Sequence, residues 1–543
     1  MAQMHTKEEL NNCSKEDLIT MVLAMQGQVE LLNQNIEKLI EQIRIANSYR
    51  FGKHTEKLSV IDGQMSLFDE PEAIFVKNAP EPNAEEILTV VKKNAKKKGQ
   101  REINLKQFKQ EDIQHVVTDE EADKHFGKGA WRRFPSETYL RLRYEPAAWT
   151  AEVHTVDVVV GTDGDRQDEF LRGKRPKELI KNSIVTPSLL AAILNAKYVN
   201  SIPLNRLEQE FSRDEVPISR QTMSNWIMST SEKYFKPFVE CMKKELLKLP
   251  VTQSDETPTQ VIKESDHPNS KCYMWVHRSG ELYSDRPIVI YEYQRGRDHH
   301  IPLEFYKDYK GVLVTDGLAQ YHLVEKKLPN VINANCWAHA RRDFSDAIKA
   351  MEKSNPEAVK QSIAHQALEK IGKFYKLDTE LKSLTSEERL QKRKEEIAPL
   401  VEEFFAWIKD QLKSRYVLPK SKTADGLNYC INQEKYLKVF LTDGDIPIDN
   451  SASERAIRTF CIGKKNWMFH NTARGAEASA TVYSISETAK LNNLRPYYYF
   501  KYILEELVKQ PRDEKGNIDP AVDLSYIMPW SNSLPDECRK PCH

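Results

Sequence analysis

The chain predicts a multidomain protein of α+β and α/β character. Its main domain is one mixed five-stranded sheet flanked by helices and interrupted by a helical insertion. Three observations carry this reading. Short runs rich in β-branched and aromatic residues recur between positions 251 and 335, with helical stretches among them. Two aspartates, Asp255 and Asp316, stand at the ends of predicted strands. A glutamate, Glu454, lies on a predicted helix 138 residues after the second aspartate, far more than a compact core needs (454 − 316).

The elements follow in order. Leu18, Val22, Met25, Val29, Leu32, Ile36, Leu39 and Ile43 alternate spacings of four and three. That heptad puts Val22, Val29, Ile36 and Ile43 at a and mostly leucine at d, the pattern of a parallel two-stranded coil. Residues 1–50 are therefore read as an oligomerisation helix. Residues 51–110 read as a basic linker, with Pro80 and Pro82 ahead of Lys92, Lys93, Lys96, Lys97, Lys98 and Arg101. Residues 111–170 read as a small β-rich domain with strands at Glu137–Tyr144 and Trp149–Val160. Residues 171–245 are helical. Thr186-Pro187 opens one helix, Pro203–Arg213 forms a second, and Ser219 caps a third. That arrangement leaves Arg220, Gln221, Ser224 and Asn225 to face a DNA major groove as in a helix-turn-helix; the alternative is a plain helical connector.

The core spans 246–344 and 441–505. Its strands are predicted at Val251–Ser254, Cys272–His277, Pro287–Tyr293, Val312–Val314 and Val331–Asn335, with a helix from Trp337 onward. Acids after the first and fourth strands and a glutamate on a later helix give the order of a ribonuclease H-like fold. Charged helical sequence fills the insertion at 345–440. Residues 506–543 are read as a C-terminal tail, and its ending, Cys538-x3-Cys542-His543, which matches metal spacing only loosely, as disordered.

Three carboxylates so placed can hold two hard divalent cations, the arrangement that cuts and joins phosphodiester bonds. Taken singly, each acid also has a plain reading. Asp255 could be a turn residue beside Pro258, Asp316 a turn before Gly317, and Glu454 a surface partner of Arg458. Glu256 points elsewhere on a strand, Asp449 and Asn450 cap the Glu454 helix, and Glu487 is the main competitor as third ligand.

Longer words decide between these readings. Ser-Asp255-Glu-Thr-Pro, Thr-Asp316-Gly, Cys336-Trp-Ala-His339-Ala-Arg-Arg-Asp-Phe344 and Ile448-Asp-Asn-Ser-Ala-Ser-Glu454-Arg-Ala occur in order. Gly463-Lys-Lys-Asn-Trp-Met-Phe469 and Ser486-Glu-Thr-Ala-Lys-Leu-Asn492 follow, with weaker matches at Arg50–Leu58 and Met528–Trp530. In these the chain resembles the insertion-sequence-66 family of DDE transposases. The resemblance implies an enzyme that binds its element's terminal inverted repeats, cleaves the DNA ends and joins the 3′-hydroxyls to target DNA. The alternative is a catalytically silent descendant that binds DNA and oligomerises.

It implies Asp255, Asp316 and Glu454 as catalytic metal ligands for two Mg²⁺ ions, with Mn²⁺ able to substitute. Arg341, Arg342, Arg455, Arg458, Lys464 and Lys465 are candidates to hold DNA phosphates. Cys336 and His339 form a Cys-x-x-His pair read as structural. Trp467 is read as a core residue before a base-stacking one. The implied partners are double-stranded DNA, further copies of the chain in a homodimer or larger assembly, and small accessory proteins of the same element. The implied setting is the bacterial cytoplasm, on the nucleoid.

Composition bounds the rest. With 80 basic and 80 acidic residues, a DNA-binding surface must be local. No apolar run is long enough to span a bilayer, so no membrane partner is expected. The family's zinc ribbon needs paired cysteines near 111–170, yet the chain has no cysteine between 13 and 241. No structural zinc is expected there.

Overall fold

The computed structural model describes residues 177–541, apart from 265–271, 284, 353–355, 415–416 and 515, with a few residues further N-terminal. Apart from Lys15, Val22 and Gln26, which are helical and exposed, the predicted coil lies outside the described residues, as do the basic linker and the strand at Glu137–Tyr144. Glu70–Arg175 belong to one compact unit and Pro176–His543 to another. In the first, β1 (Val158–Val160) pairs antiparallel with β2 (Phe170–Arg172). Trp149 and Glu152 carry no regular structure, so the strand expected from Trp149 is shorter; its partner offers only three residues.

The second unit is built on a sheet ordered β6-β5-β3-β7-β8. Its strands are β3 (Val251–Thr259), β5 (Cys272–Ser279), β6 (Val289–Gln294), β7 (Gly311–Thr315) and β8 (Val331–Asn335). A short β4 (Val261–Lys263) follows β3. β3, β5 and β6 are antiparallel neighbours; β7 and β8 join β3 in parallel. The first strand does not stop before Asp255 but runs through it to Thr259. Beyond Gln253 it has lost β7 and keeps only β5, so Pro258 removes no second ladder bond.

Alternation along the strands builds two cores. Leu313 and Val331 face one side with Trp275, Tyr321 and Tyr483; Val251, Val314 and Ala334 face the other with Trp337. The first side is covered by α1 (Pro187–Leu194), α2 (Leu204–Arg213), α3 (Arg220–Thr230) and α4 (Lys236–Leu246), which precede the sheet. Two short helices lie within the core sequence, α5 (His300–Phe305) and α6 (Ala319–Lys327).

The second side is covered by α7 (Trp337–Glu352) and by the insertion. The insertion comprises α8 (Pro356–Gln361), α9 (Ile363–Glu380), α10 (Ser386–Lys392), α11 (Ala398–Lys413), α12 (Lys422–Asn432) and α13 (Glu434–Leu437). Insertion and sheet share one continuous core.

The chain returns from the insertion into α14 (Ser451–Trp467), β9 (His470–Thr472), α15 (Ala473–Leu491) and α16 (Pro496–Lys509). α15 is buried along most of its length and lies on the edge strand β6. Ser484 accepts a hydrogen bond from the Tyr291 amide at 2.8 Å, and Thr488 accepts one from the Val289 amide at 3.0 Å. Two hydroxyls one turn apart thus satisfy amides of an edge that would otherwise present them bare. The described residues after 506 are packed, Cys538 of the ending expected to be disordered included. Leu524, Ile527, Met528 and Leu534 are buried in the first core, Cys538 is buried as well, and Leu494 bridges to Arg539. Apolar spacing too irregular for a helix or strand hid this packing.

Candidate active site

Adjacent strands bring the two aspartates together. β3 and β7 are paired in parallel with Gln253 opposite Val314, so two further residues set Asp255 opposite Asp316. Asp316 directly follows the end of β7, and Asp255 lies where β3 has parted from β7 but still pairs with β5. Glu454 lies in the first turn of α14, where the helix dipole favours a negative charge.

The start of α14 is tied to β3 by several bonds. Asn450 Nδ2 donates to the Ser254 carbonyl at 2.8 Å, and Gln253 Nε2 donates to the Asp449 carbonyl and to Asn450 Oδ1, each at 3.2 Å. From β5, buried Arg278 donates to the Ala452 carbonyl at 2.9 Å. Asp449 receives the Ser451 amide at 2.9 Å, as a cap would. The Asn450 side chain makes no cap bond, because it is committed to β3.

Electrostatics report how close the acids are. The Asp255 carboxyl is pushed well above the usual range by burial first, then by the negative charges of Glu256, Asp316 and Glu454. Asp316 is pushed up to about 6 by burial and by Glu256, against an amide bond from Leu318 and the charges of Arg297 and Arg342. Crowded carboxylates of this kind call for a cation.

Among the described residues, the one trio of possible metal ligands mutually within 4.8 Å is Asp298, His299 and His300. These are chain neighbours at the start of α5, and Asp298 Oδ1 already accepts the His300 amide at 2.8 Å. Asp255, Asp316 and Glu454 do not form such a trio.

Residues 182–478, more than half of the chain, match the family described as Transposase IS66 family. The chain belongs to that family. Residues 38–113 match a second description, Transposase C of IS166 homeodomain. Among similar proteins of Sinorhizobium fredii (strain NBRC 101917 / NGR234), Uncharacterized protein y4qI is 28% identical over 380 residues, 68% of this chain and 67% of its own. Uncharacterized protein y4hP is 23% identical over 364 residues, 65% of this chain and 64% of its own. Membership in the IS66 family ties the chain to DNA transposition and DNA binding. No helix among the described residues is long and apolar enough to cross a membrane.

Other residues singled out in this IS66 family chain fall in several places. Cys336 accepts the Asn450 amide through its thiol at 3.1 Å, and its own amide donates to the Thr315 carbonyl at 2.9 Å. His339 Nδ1 lies 3.9 Å from Glu454 Oε1, and burial with the Arg342 charge lowers its imidazole to about 3. The Cys-x-x-His pair thus stands between the end of β7 and the Glu454 helix.

Arg342 is exposed and its charge reaches Asp316, whereas Arg341 lies over the Tyr375 ring, 5.3 Å from its centre. Arg455 pairs with Glu281. Arg458 and Lys465 are exposed, and Lys464 donates to the Pro258 carbonyl. On α3, capped by Ser219, Arg220, Gln221 and Asn225 are exposed and Ser224 is half-buried. Arg220 Nε lies 3.9 Å from Glu208, and Gln221 donates to Asn225 at 3.1 Å. Glu487 pairs with Lys490 at 2.7 Å, and its charge acts on Tyr291 and Tyr483, on the β6 side of the sheet.

Sequence reasoning passed over Glu256 and missed Arg297. The Glu256 side chain is fully buried and accepts from the Tyr321 hydroxyl at 2.6 Å, from Gln320 at 3.3 Å and from Arg297. The other end of the Arg297 guanidinium lies 3.9 Å from Asp316. An acid next to Asp255 on a strand was expected to face away from the site; Arg297 links it back.

Proposed function

We propose that the chain is a DNA transposase that binds its element's terminal inverted repeats, cleaves the ends and joins the freed 3′-hydroxyls to target DNA. The observation that carries this reading is the junction of Asp255, Asp316 and Glu454 on two paired strands and a helix bonded to them. Their oxygens suit hard cations, and their mutual repulsion in a buried setting is relieved by bound positive charge. Held by Asp255, Asp316 and Glu454, a pair of Mg²⁺ ions, or Mn²⁺ in their place, would supply an activated water and stabilise charge on the phosphate and leaving oxygen.

The chain's own residues do the remaining work. Asp255, Asp316 and Glu454 hold the ions. Arg342 and Arg297 place positive charge beside Asp316, where a scissile phosphate would lie. Exposed Arg458 and Lys465, with Lys464, line α14 to hold the backbone of the duplex, as Arg341 and Arg455 do once they leave their present partners. Arg220, Gln221, Ser224 and Asn225 read the terminal repeat from α3. Cys336 and His339 keep the second acid's strand and the third acid's helix in register. The N-terminal coil joins copies of the chain.

A cleavage-and-joining assay on the element's own ends with Mg²⁺ tests the proposal. Asp255→Asn, Asp316→Asn and Glu454→Gln should each abolish cutting and joining while end binding persists. Glu487→Gln should keep substantial activity. Full activity in any of the first three would remove that residue from the site. Joining of pre-cut ends separates a transposase from a nuclease of the same fold.

A further inference from the structure

The end of α14 carries a strained turn that the site described above does not use. Met468 has φ 67° and ψ −47°, and the Phe469 amide donates to the Trp467 carbonyl at 2.8 Å. A hydrogen bond over two residues with positive φ defines the rare, strained form of γ-turn. A residue other than glycine there is uncommon, and such strain gathers at functional positions. The turn drives Met468 outward, 66% exposed, beside Phe469 at 43%.

Trp467 turns the other way. Its ring packs on Gly463, where an added Cβ would lie 2.4 Å from it, and stands edge-on to buried Tyr198 at 6.5 Å between ring centres. The tryptophan is thus an anchor, and the two residues after it form the tip.

We propose that Met468 and Phe469 form an apolar wedge that enters the element-end duplex beside the cut and unstacks a base there. This rests on the transposase reading above. Charge and position select DNA as the occupant. Lys464 and exposed Lys465 precede the tip, so flanking phosphates would find cations on the same helix end. Lys464 is bonded to Pro258, three residues along β3 from Asp255, or about 10 Å of extended chain. A duplex with its scissile phosphate at the acids would pass over the tip.

The test uses the full-length chain and a duplex of the element's terminal repeat, with 2-aminopurine at positions flanking the cleavage site. Ca²⁺ replaces Mg²⁺ to allow assembly without chemistry. Wild type should raise the fluorescence several-fold, the sign of an unstacked base. Met468→Gly suits the turn's backbone and should fold at least as stably. Met468→Gly and Phe469→Ser should each lose most of the rise, and together they should bind the end about tenfold more weakly. An unchanged rise in both variants, with wild type binding and cutting normally, would overturn the wedge. So would a DNA-free change in sedimentation caused by these substitutions, since the tip would then cover a second copy. If wild type neither binds nor cuts the ends, the transposase reading falls first.

Discussion

Asp316 shows at the scale of one residue how a site is built against stability. Its carboxyl is raised to about 6 by burial and by Glu256. Between the unfolded value of 3.8 and about 6, the native state therefore holds the extra proton, and stability falls as pH rises through that window. At neutral pH the cost reaches at most about 3 kcal/mol. Asp316→Asn should remove it: metal-free variant should melt higher than wild type at pH 7.5 and equally near pH 4. Thermal melts at the two pH values check this, and a variant that melts no higher at pH 7.5 would contradict it. Arg297 makes the complementary case. It faces the fully buried carboxylate of Glu256, so Arg297→Ala should destabilise by about 1–3 kcal/mol. Glu256→Gln in the same chain should recover part of that loss, because the uncompensated charge is gone; urea unfolding of the three variants measures the coupling.

Elements reach the site through bonds that no local pattern announces. Arg393, between α10 and α11, is fully buried and pairs with Asp378 of α9 at 2.7 Å. Its Nη1 donates to the carbonyls of Phe440 at 2.9 Å and Ile446 at 2.8 Å. Arg389 donates to Gly444 at 2.8 Å. These arginines hold the segment that leads from the insertion to Glu454. Gly444 has no room for a side chain there, since a Cβ would lie 1.9 Å from the Ser386 carbonyl. Arg393→Met should leave Asp378 buried without its partner and cost about 3–5 kcal/mol in denaturant unfolding. A loss under about 1 kcal/mol would show that the clamp contributes little. In sequence these arginines looked like part of a charged helical face. Only the packing of three helices around them shows otherwise.

At the scale of the molecule, one sheet organises the whole of Pro176–His543. Helices from before the sheet and after it cover one face, and α7 with the insertion covers the other. In the proposed reading, assembly beyond one chain rests on the heptads at 18–43. Replacing Ile36 with Lys sets a charge at an a position that pairing of the helices would bury, where desolvation is costly. Sedimentation should then show smaller particles than wild type. A wild type that is monomeric at micromolar concentration without DNA would mean that the coil does not self-associate.

Sequence alone determined the strands around Asp255 and Asp316, because β-branched and aromatic runs between turn signals have few other uses. It also determined the family, because long words in fixed order are specific where single acids are not. Strand lengths, the packed C-terminal segment and the role of the hydroxyls on α15 came from tertiary structure. Each depends on a partner distant in the chain: β5 for the extension of β3, the first core for Leu524 and Ile527, β6 for Ser484 and Thr488. The same holds for the site. Asp255 and Asp316 were singled out by their motifs. That Arg297 and Glu256 stand beside them was decided only when β3, β7 and the loop after β6 closed on one another, since periodicity records which face a residue takes and never what waits across from it.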